Sequence, residues 1–165
     1  MRVGFTGTHR TGKSTLIEAI SAALPHYDVI DEPYRLLEDD GYDDPDFERQ
    51  LALSLELARD LAADALVDRT PIDFVAYLRA SGDDDADEID LDAAREAMGA
   101  FDLIVFVPIE EPDRIALPSS EPRRLRAAVD ELLRALVADL EIPTIEVTGD
   151  VPARVRQVMR ALASR

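Results

Sequence analysis

Apolar residues along the chain follow two periods. Short apolar runs at 2–6, 27–31, 65–68, 103–108 and 143–147 have the length and composition of strands, and between them apolar residues recur every three or four positions, as on one face of a helix. The helical stretches begin with 15–24, which turns Leu16, Ile17, Ala19, Ile20 and Ala23 inward before Pro25 ends it. The stretches 47–63, 72–79 and 91–98 follow, with Pro71 suited to a first helical turn. A further helix that Ser119 or Ser120 can cap carries Leu125, Val129, Leu132, Leu136 and Leu140 on one face, and 152–163 turns Val155, Val158, Met159 and Leu162 inward. Strands alternating with helices predict one α/β domain over residues 1–165, built on a parallel sheet with helices on both faces. Stretch 47–63 carries two apolar stripes, Phe47, Leu51, Leu55, Ala58, Ala62 and Leu53, Leu57, Leu61. Such a helix is buried on more than one side, which predicts packing on the sheet and on a second copy of the chain as a homodimer.

In a sheet of this kind ligands gather where strands end and helices begin. The first such junction reads Gly7-Thr8-His9-Arg10-Thr11-Gly12-Lys13-Ser14, followed by Thr15, and fits the phosphate-loop pattern G-x-x-x-x-G-K-[S/T] between a strand and a helix. Glycines let the backbone wrap so that its N–H groups point at a phosphate, and the helix adds the positive end of its dipole. Lys13 is placed to reach the terminal phosphates, and Ser14 supplies a hydroxyl to a magnesium ion. Lys13 is the only lysine beside seventeen arginines, so a compact ammonium stands at the one position where a planar fork is not wanted.

Charge narrows the partners. A net charge of −17 repels phosphate backbones and anionic lipid at long range, which disfavours nucleic acid and membrane surfaces. The acidic runs at 38–46 and 83–90 read as solvated loops. Without cysteine there is neither a disulfide nor a thiolate metal site. The first strand starts almost at Met1, leaving no room for a signal peptide, and no apolar run approaches the length of a membrane span, so a cytoplasmic protein is expected.

Phosphoryl transfer also needs a metal carboxylate, a group serving the acceptor and positive charge near the moving phosphoryl. Asp68, at the end of the third strand, is the metal candidate with Ser14, and Arg69 can steady phosphate oxygens or the acceptor; the other reading of Asp68, a helix cap, is disfavoured because Thr70 is an equally good cap. Glu32 can take an acceptor proton, a role for which Asp31 competes. Asp73 and Tyr77, one turn apart, can face the acceptor pocket, and Tyr77 suits the core equally well. Arg114, Arg123, Arg124 and Arg126 cluster around a polar, proline-broken stretch at about 109–121 that predicts a lid, and Arg114 and Arg124 are the preferred transition-state cations. Thr148 and Gly149, after the fifth strand, complete the candidate nucleotide contacts.

With these residues in place the chain resembles the P-loop kinases of the nucleoside and nucleotide type, including deoxynucleoside kinases, thymidylate kinase and the nicotinamide riboside kinase domain. It is most similar to small ATP-binding proteins described as AAA-domain or predicted-kinase proteins. The resemblance rests on the loop 4–15, on Asp31-Glu32-Pro33 with Arg35, on Asp68-Arg69-Thr70-Pro71-Ile72-Asp73 with Tyr77, and on the arginines up to Arg126. It implies a P-loop NTPase three-layer sandwich with sheet order 2-3-1-4-5, binding ATP, or GTP, with Mg²⁺. The implied activity is ATP-dependent phosphoryl transfer to a small-molecule acceptor such as a nucleoside, nucleotide or related metabolite. It also implies that Glu32, before Pro33, acts as base. Asp68-Arg69-Thr70 stands where deoxynucleoside kinases carry Glu-Arg-Ser, and thymidylate kinases carry an Asp-Arg pair there, so the division of labour between Glu32 and Asp68 stays open. The alternatives are a regulatory nucleotide-binding ATPase or interaction protein and a kinase for a non-nucleoside small molecule. The Asn-Lys-x-Asp signature of GTPases is absent.

Overall fold

The computed structural model describes residues 1–37, 46–82, 91–113 and 123–165. In chain order the elements are β1 (Arg2–Thr6), α1 (Lys13–Ala23), β2 (Asp28–Ile30), α2 (Pro33–Leu36), α3 (Phe47–Arg59), β3 (Ala65–Asp68), α4 (Pro71–Ser81), α5 (Leu91–Met98), β4 (Leu103–Phe106), α6 (Arg123–Ala138), β5 (Thr144–Glu146) and α7 (Val151–Ala163). The five strands form one parallel sheet in the order β2-β3-β1-β4-β5, as expected, with β1 central and in register so that Phe5 lies beside Asp68 and Val105.

Successive strand residues face opposite sides, and the two cores follow that alternation. Val3, Phe5, Leu66, Leu103, Val105 and Val107 join Leu16, Ile17 and Ile20 of α1 and Val158 of α7 on one face. Ala65, Val67, Ile104 and Phe106 pack on the other face against Leu51, Phe74, Met98, Val129 and Leu133 from the remaining long helices. Residues Pro71 to Leu78 of α4 are all buried, because this helix lies between its neighbours α3 and α6 as well as on the sheet. Gly4 makes that packing possible: a Cβ there would stand 2.6 Å from the Thr70 methyl.

Three elements depart from the expected pattern. The helix expected over 47–63 ends at Arg59, because the chain must straighten into β3, where the Asp64 carbonyl accepts from Asp28 N at 2.9 Å. Its inner face holds the polar Gln50 and Ser54 beside Leu51 and Ala58, while Leu53 and Leu57 are half-buried. Helix α6 is rotated slightly from its leucine stripe, so Leu133 is fully buried together with Arg126 and Asp130, and Leu125 and Leu132 are only partly covered. Pro33–Leu36 forms a short helix ahead of the acidic run, one that the apolar period does not announce. The proposed caps Ser119 and Ser120 lie outside the described residues. Among the described residues no helix is long and apolar enough to cross a membrane.

Candidate active site

The carboxyl ends of β1, β2 and β3 bring the phosphate loop, Glu32 and Asp68-Arg69 together. Gly7, at φ 149°, passes so close to β4 that a Cβ would lie 2.3 Å from the Val107 carbonyl oxygen. Gly12, at φ 88°, stands as N-cap of α1 without a side-chain cap. Every carbonyl from Gly7 to Gly12 is held by a donor. Lys13 Nζ donates to Gly7 O at 2.7 Å and Thr8 O at 2.9 Å, and Thr11 Oγ1 also donates to Thr8 O at 3.0 Å. Arg126 reaches from α6 to donate to His9 O at 3.1 Å through Nε and to Arg10 O at 3.2 Å through Nη2. Arg154 of α7 donates to Thr11 O at 2.6 Å, and Leu16 N donates to Gly12 O at 3.1 Å. The N–H groups of Thr11, Gly12, Lys13 and Ser14 meet no acceptor among the described residues, which is the arrangement an anion cradle requires.

Lys13 is almost fully buried, and burial, with the Arg69 charge next in weight, lowers its pKa to about 8. Ser14 Oγ donates to Asp68 Oδ2 at 2.6 Å, whereas buried Asp68 Oδ1 has no hydrogen-bond partner among the described residues. Burial raises the Asp68 carboxyl above its ordinary range. One orphaned carboxylate oxygen beside a serine hydroxyl fits a hard divalent cation, which takes its other ligands from water and phosphate. A groove of about 440 Å³ opens onto this pair, lined also by Glu18, Val29, Asp31 and Arg35. A larger groove of about 620 Å³ lies near Met1 and Phe101, at the strands' amino-terminal edge, and holds none of the candidate site residues.

On the other side of Asp68 stands Arg69, in the left-handed region at φ 74°. Its Nε donates to Glu32 Oε2 at 2.9 Å, its guanidinium lies 5.2 Å from the centroid of the Tyr77 ring, and Nη1 is buried without a hydrogen bond among the described residues, 4.0 Å from Asp73. Burial works against both charges. It is outweighed at Arg69 by Tyr77, Asp73 and Glu32, and at Glu32 by the charge and hydrogen bond of Arg69 together with Lys13 and Arg35, so Arg69 stays cationic and Glu32 is held below the usual carboxylate range. Arg35 approaches both Glu32, at 3.5 Å, and the exposed Asp31, at 3.4 Å. Asp31 is thus on the rim, and Glu32 is the carboxylate that joins Arg69.

Asp73 takes a structural position beside the loop and not the acceptor-facing one expected of it, and Tyr77 takes the core position that was its equal alternative. Fully buried Asp73 accepts from Thr70 N at 2.8 Å and Thr70 Oγ1 at 2.9 Å, a capping box for α4, and its other oxygen accepts from Gly7 N at 3.0 Å. Tyr77 is stacked on Phe47 with centroids 4.7 Å apart, and its hydroxyl accepts from His9 N at 2.8 Å and pairs with His9 Nδ1 at 2.8 Å. The N–H of Thr148 donates to Gln157 Oε1 at 3.4 Å and that of Gly149 to Glu110 Oε1 at 2.9 Å, so both are already engaged. Arg124 is exposed on the first turn of α6. Of the arginines near the expected lid it is Arg126 that touches the loop, while Arg114 and the lid beyond Asp113 lie outside the described residues.

Sequence reading missed Asp73 as the loop's anchor and both loop-gripping arginines outside the lid preference. The signals were there. Thr70 to Asp73 has capping-box spacing, and Arg126 and Arg154 stand three and four residues before the buried Val129 and Val158, where an apolar side chain belongs.

The sheet order, the loop and the Ser14–Asp68 pair define the fold of the P-loop kinases of the nucleoside and nucleotide type. The chain belongs to the family described as an AAA domain, which matches residues 2–154. No curated protein matches it. Among solved structures it is similar to thymidylate kinase from Ehrlichia chaffeensis, at 14% identity and a TM-score of 0.73 over 99% of this chain and 98% of that one. It is similar also to deoxyadenosine kinase from M. mycoides with bound dATP, at 16% identity and a TM-score of 0.69 over 99% and 100% of the two chains. Shikimate kinase from Aquifex aeolicus vf5 is similar at 12% identity and a TM-score of 0.64 over 99% and 97%. At these identities the likeness defines the fold, and acceptors as different as a nucleotide and shikimate share it.

Proposed function

We propose that the protein is a phosphotransferase that moves the terminal phosphoryl group of ATP, or GTP, to a hydroxyl or phosphate of a nucleoside, nucleotide or related metabolite. The observation that carries this reading is a pair of adjacent buried groups without hydrogen bonds among the described residues, Asp68 Oδ1 and Arg69 Nη1, set beside a loop whose carbonyls are all engaged. One spare acceptor suits a cation and one spare donor suits an anion.

In this mechanism the N–H groups from Thr11 to Ser14 hold the β-phosphate region and Lys13 turns from the loop carbonyls to the terminal phosphates. Ser14 and Asp68 would hold Mg²⁺, which supplies neutralisation of charge on the phosphates. Glu32, ionised at neutral pH, accepts the acceptor proton as its oxygen bonds to the terminal phosphorus and the bond to the bridging oxygen breaks, releasing ADP. Arg69 orients Glu32 and presents Nη1 to the transferred group. Arg114 and Arg124 remain proposed lid cations. Acceptor choice is supported by Gln50 and Ser54, buried on the inner face of α3 one and two turns after Phe47. An amide and a hydroxyl beside a stacked aromatic pair suit a flat group with both donors and acceptors.

The test is ³¹P NMR of Mg·ATP with a panel of nucleosides, nucleotides and hydroxy acids. The expected result is ADP formation stimulated by a nucleoside or nucleotide, with the phosphoryl group recovered on it. Slow release of inorganic phosphate, unaffected by any acceptor, would support the regulatory reading instead. A second copy of the chain packed on α3 is also proposed, from the half-buried Leu53 and Leu57. Sedimentation equilibrium is expected to show a dimer, and a monomer at every concentration contradicts it.

A further inference from the structure

Arg126 and Arg154 are buried and reach the phosphate loop from α6 and α7, and the loop atoms they hydrogen-bond are its carbonyl oxygens. Their geometry matters because a trans peptide is planar, with each carbonyl antiparallel to the N–H of the following residue. Pinning the His9, Arg10 and Thr11 carbonyls outward therefore turns the N–H groups of Arg10, Thr11 and Gly12 to the opposite side, into the cradle. Arg10 itself is in the left-handed region at φ 56°, a conformation costly for a residue with a Cβ, and Arg126 grips the carbonyls on both sides of its φ and ψ bonds.

Each arginine is also tied to the segment that leaves β4. Arg126 Nη1 donates to Asp113 Oδ2 at 2.7 Å, and Arg154 Nη2 donates to Glu110 Oε1 at 2.6 Å. Glu110 Oε1 accepts in turn from Gly149 N, so one carboxylate joins the segment after β4 to the turn before α7. Side chains from α6 and α7 thus set the shape of the loop between them.

We propose that Arg126 and Arg154 are positioning residues, an outer brace that holds the phosphate loop in its anion-binding shape and couples it to the segment after β4. The proposal rests on the reading of the loop as a triphosphate site. It differs from a transition-state role, because Nε, Nη1 and Nη2 of Arg126 and Nη1 and Nη2 of Arg154 are directed to backbone carbonyls and carboxylates, while Arg154 Nε is buried without a hydrogen bond among the described residues. It also differs from a general charge effect, since a lysine would keep the charge but could not span the two carbonyls that Arg126 bridges.

The test compares Arg126→Lys, Arg126→Gln, Arg154→Lys and Arg154→Gln with the exposed α7 variant Arg160→Gln, which removes one charge away from the loop. Calorimetric titration uses Mg·ATP and inorganic tripolyphosphate, and ¹⁵N NMR follows the backbone amides without ligand. The brace predicts that each Arg126 and Arg154 variant binds both probes at least about tenfold more weakly, the scale of one lost charge-assisted hydrogen bond. Lysine and glutamine should be alike, and Arg160→Gln unchanged. It predicts amide shifts concentrated at Arg10, Thr11 and Gly12, with core amides such as Val105 unmoved. Should a glutamine variant fail to fold, the lysine variant, which keeps the charge beside Asp113 or Glu110, decides. Wild-type affinity in the lysine variants would overturn the brace in favour of a simple charge effect, and unshifted loop amides would overturn it whatever the affinities. If the wild-type protein bound neither probe, the triphosphate reading would fall, and the loop amides would still decide whether the arginines shape the loop.

Discussion

Lys13→Ala is expected to abolish measurable Mg·ATP binding and turnover while the fold persists. The ammonium stands at the foot of α1, buried, on the carbonyls of Gly7 and Thr8 and within the field of Asp68, Asp73 and Glu32. Losing a charge-assisted contact to a phosphate in such a site costs about 1.5–3 kcal/mol, or roughly ten- to a hundredfold in affinity, before any loss in the chemical step. Stability should change little, because the group that disappears is a charge whose burial is unfavourable, and it leaves the two apolar cores untouched. Calorimetric titration with circular dichroism checks both halves. The same residue fixes a pH dependence. Its pKa, lowered by burial to about 8, rises when phosphates contact the ammonium, so binding takes up a proton as the pH passes above about 8 and affinity falls with increasing pH there. Binding enthalpies in buffers of different ionisation heat should show that uptake. A wild-type-like Lys13→Ala titration would make the loop irrelevant to nucleotide.

The two carboxylates are expected to separate. Asp68→Asn keeps the side chain's shape but removes the charge beside Ser14, and should lower phosphoryl transfer and background ATP hydrolysis together, by at least about a hundredfold, the scale of removing one electrostatic stabiliser from an active site. Glu32→Gln should lower transfer by a similar factor and leave hydrolysis much less affected, because Glu32 serves the acceptor and water needs no acceptor pocket. The geometry supports that split: Asp68 is engaged by Ser14, whereas Glu32 faces Arg69 and Arg35. Parallel rates for the two reactions, measured side by side in both variants, would merge the roles. Glu32→Gln also leaves Arg69 without its closest anion, so its thermal midpoint should fall.

Much of the scaffold was legible in the sequence because each strand and helix declares its period locally. Leu91–Met98 and Ala65–Asp68 have the expected bounds, since apolar spacing and flanking residues agree there. The phosphate loop was legible for a different reason: its glycines answer backbone needs that few other sequences meet. What escaped were long-range contacts. Asp73 looked like a substrate-facing acid because nothing local shows that Gly7 N, sixty-six residues away, lies against it. Arg126 looked like one member of a basic cluster and Arg154 drew no reading at all, whereas their reach to the loop spans 117 and 143 residues of sequence. Arg124 was preferred to Arg126 on composition alone, which cannot distinguish exposed from buried positions two residues apart on one helix. Polar residues on inner helix faces, Gln50, Arg126, Asp130 and Arg154, mark the places where the apolar period is interrupted for the site and its supports.

The central claim is that the β1–α1 loop and the Ser14–Asp68 pair together form a metal–triphosphate site. Anomalous diffraction from crystals grown with Mn²⁺ and a non-hydrolysable ATP analogue tests it most directly. The account predicts the triphosphate against the N–H groups of Thr11 to Ser14, and a manganese peak bonded to Ser14 Oγ and held by Asp68 directly or through one water. A triphosphate bound away from the loop, or a manganese peak remote from both Ser14 and Asp68, would contradict it.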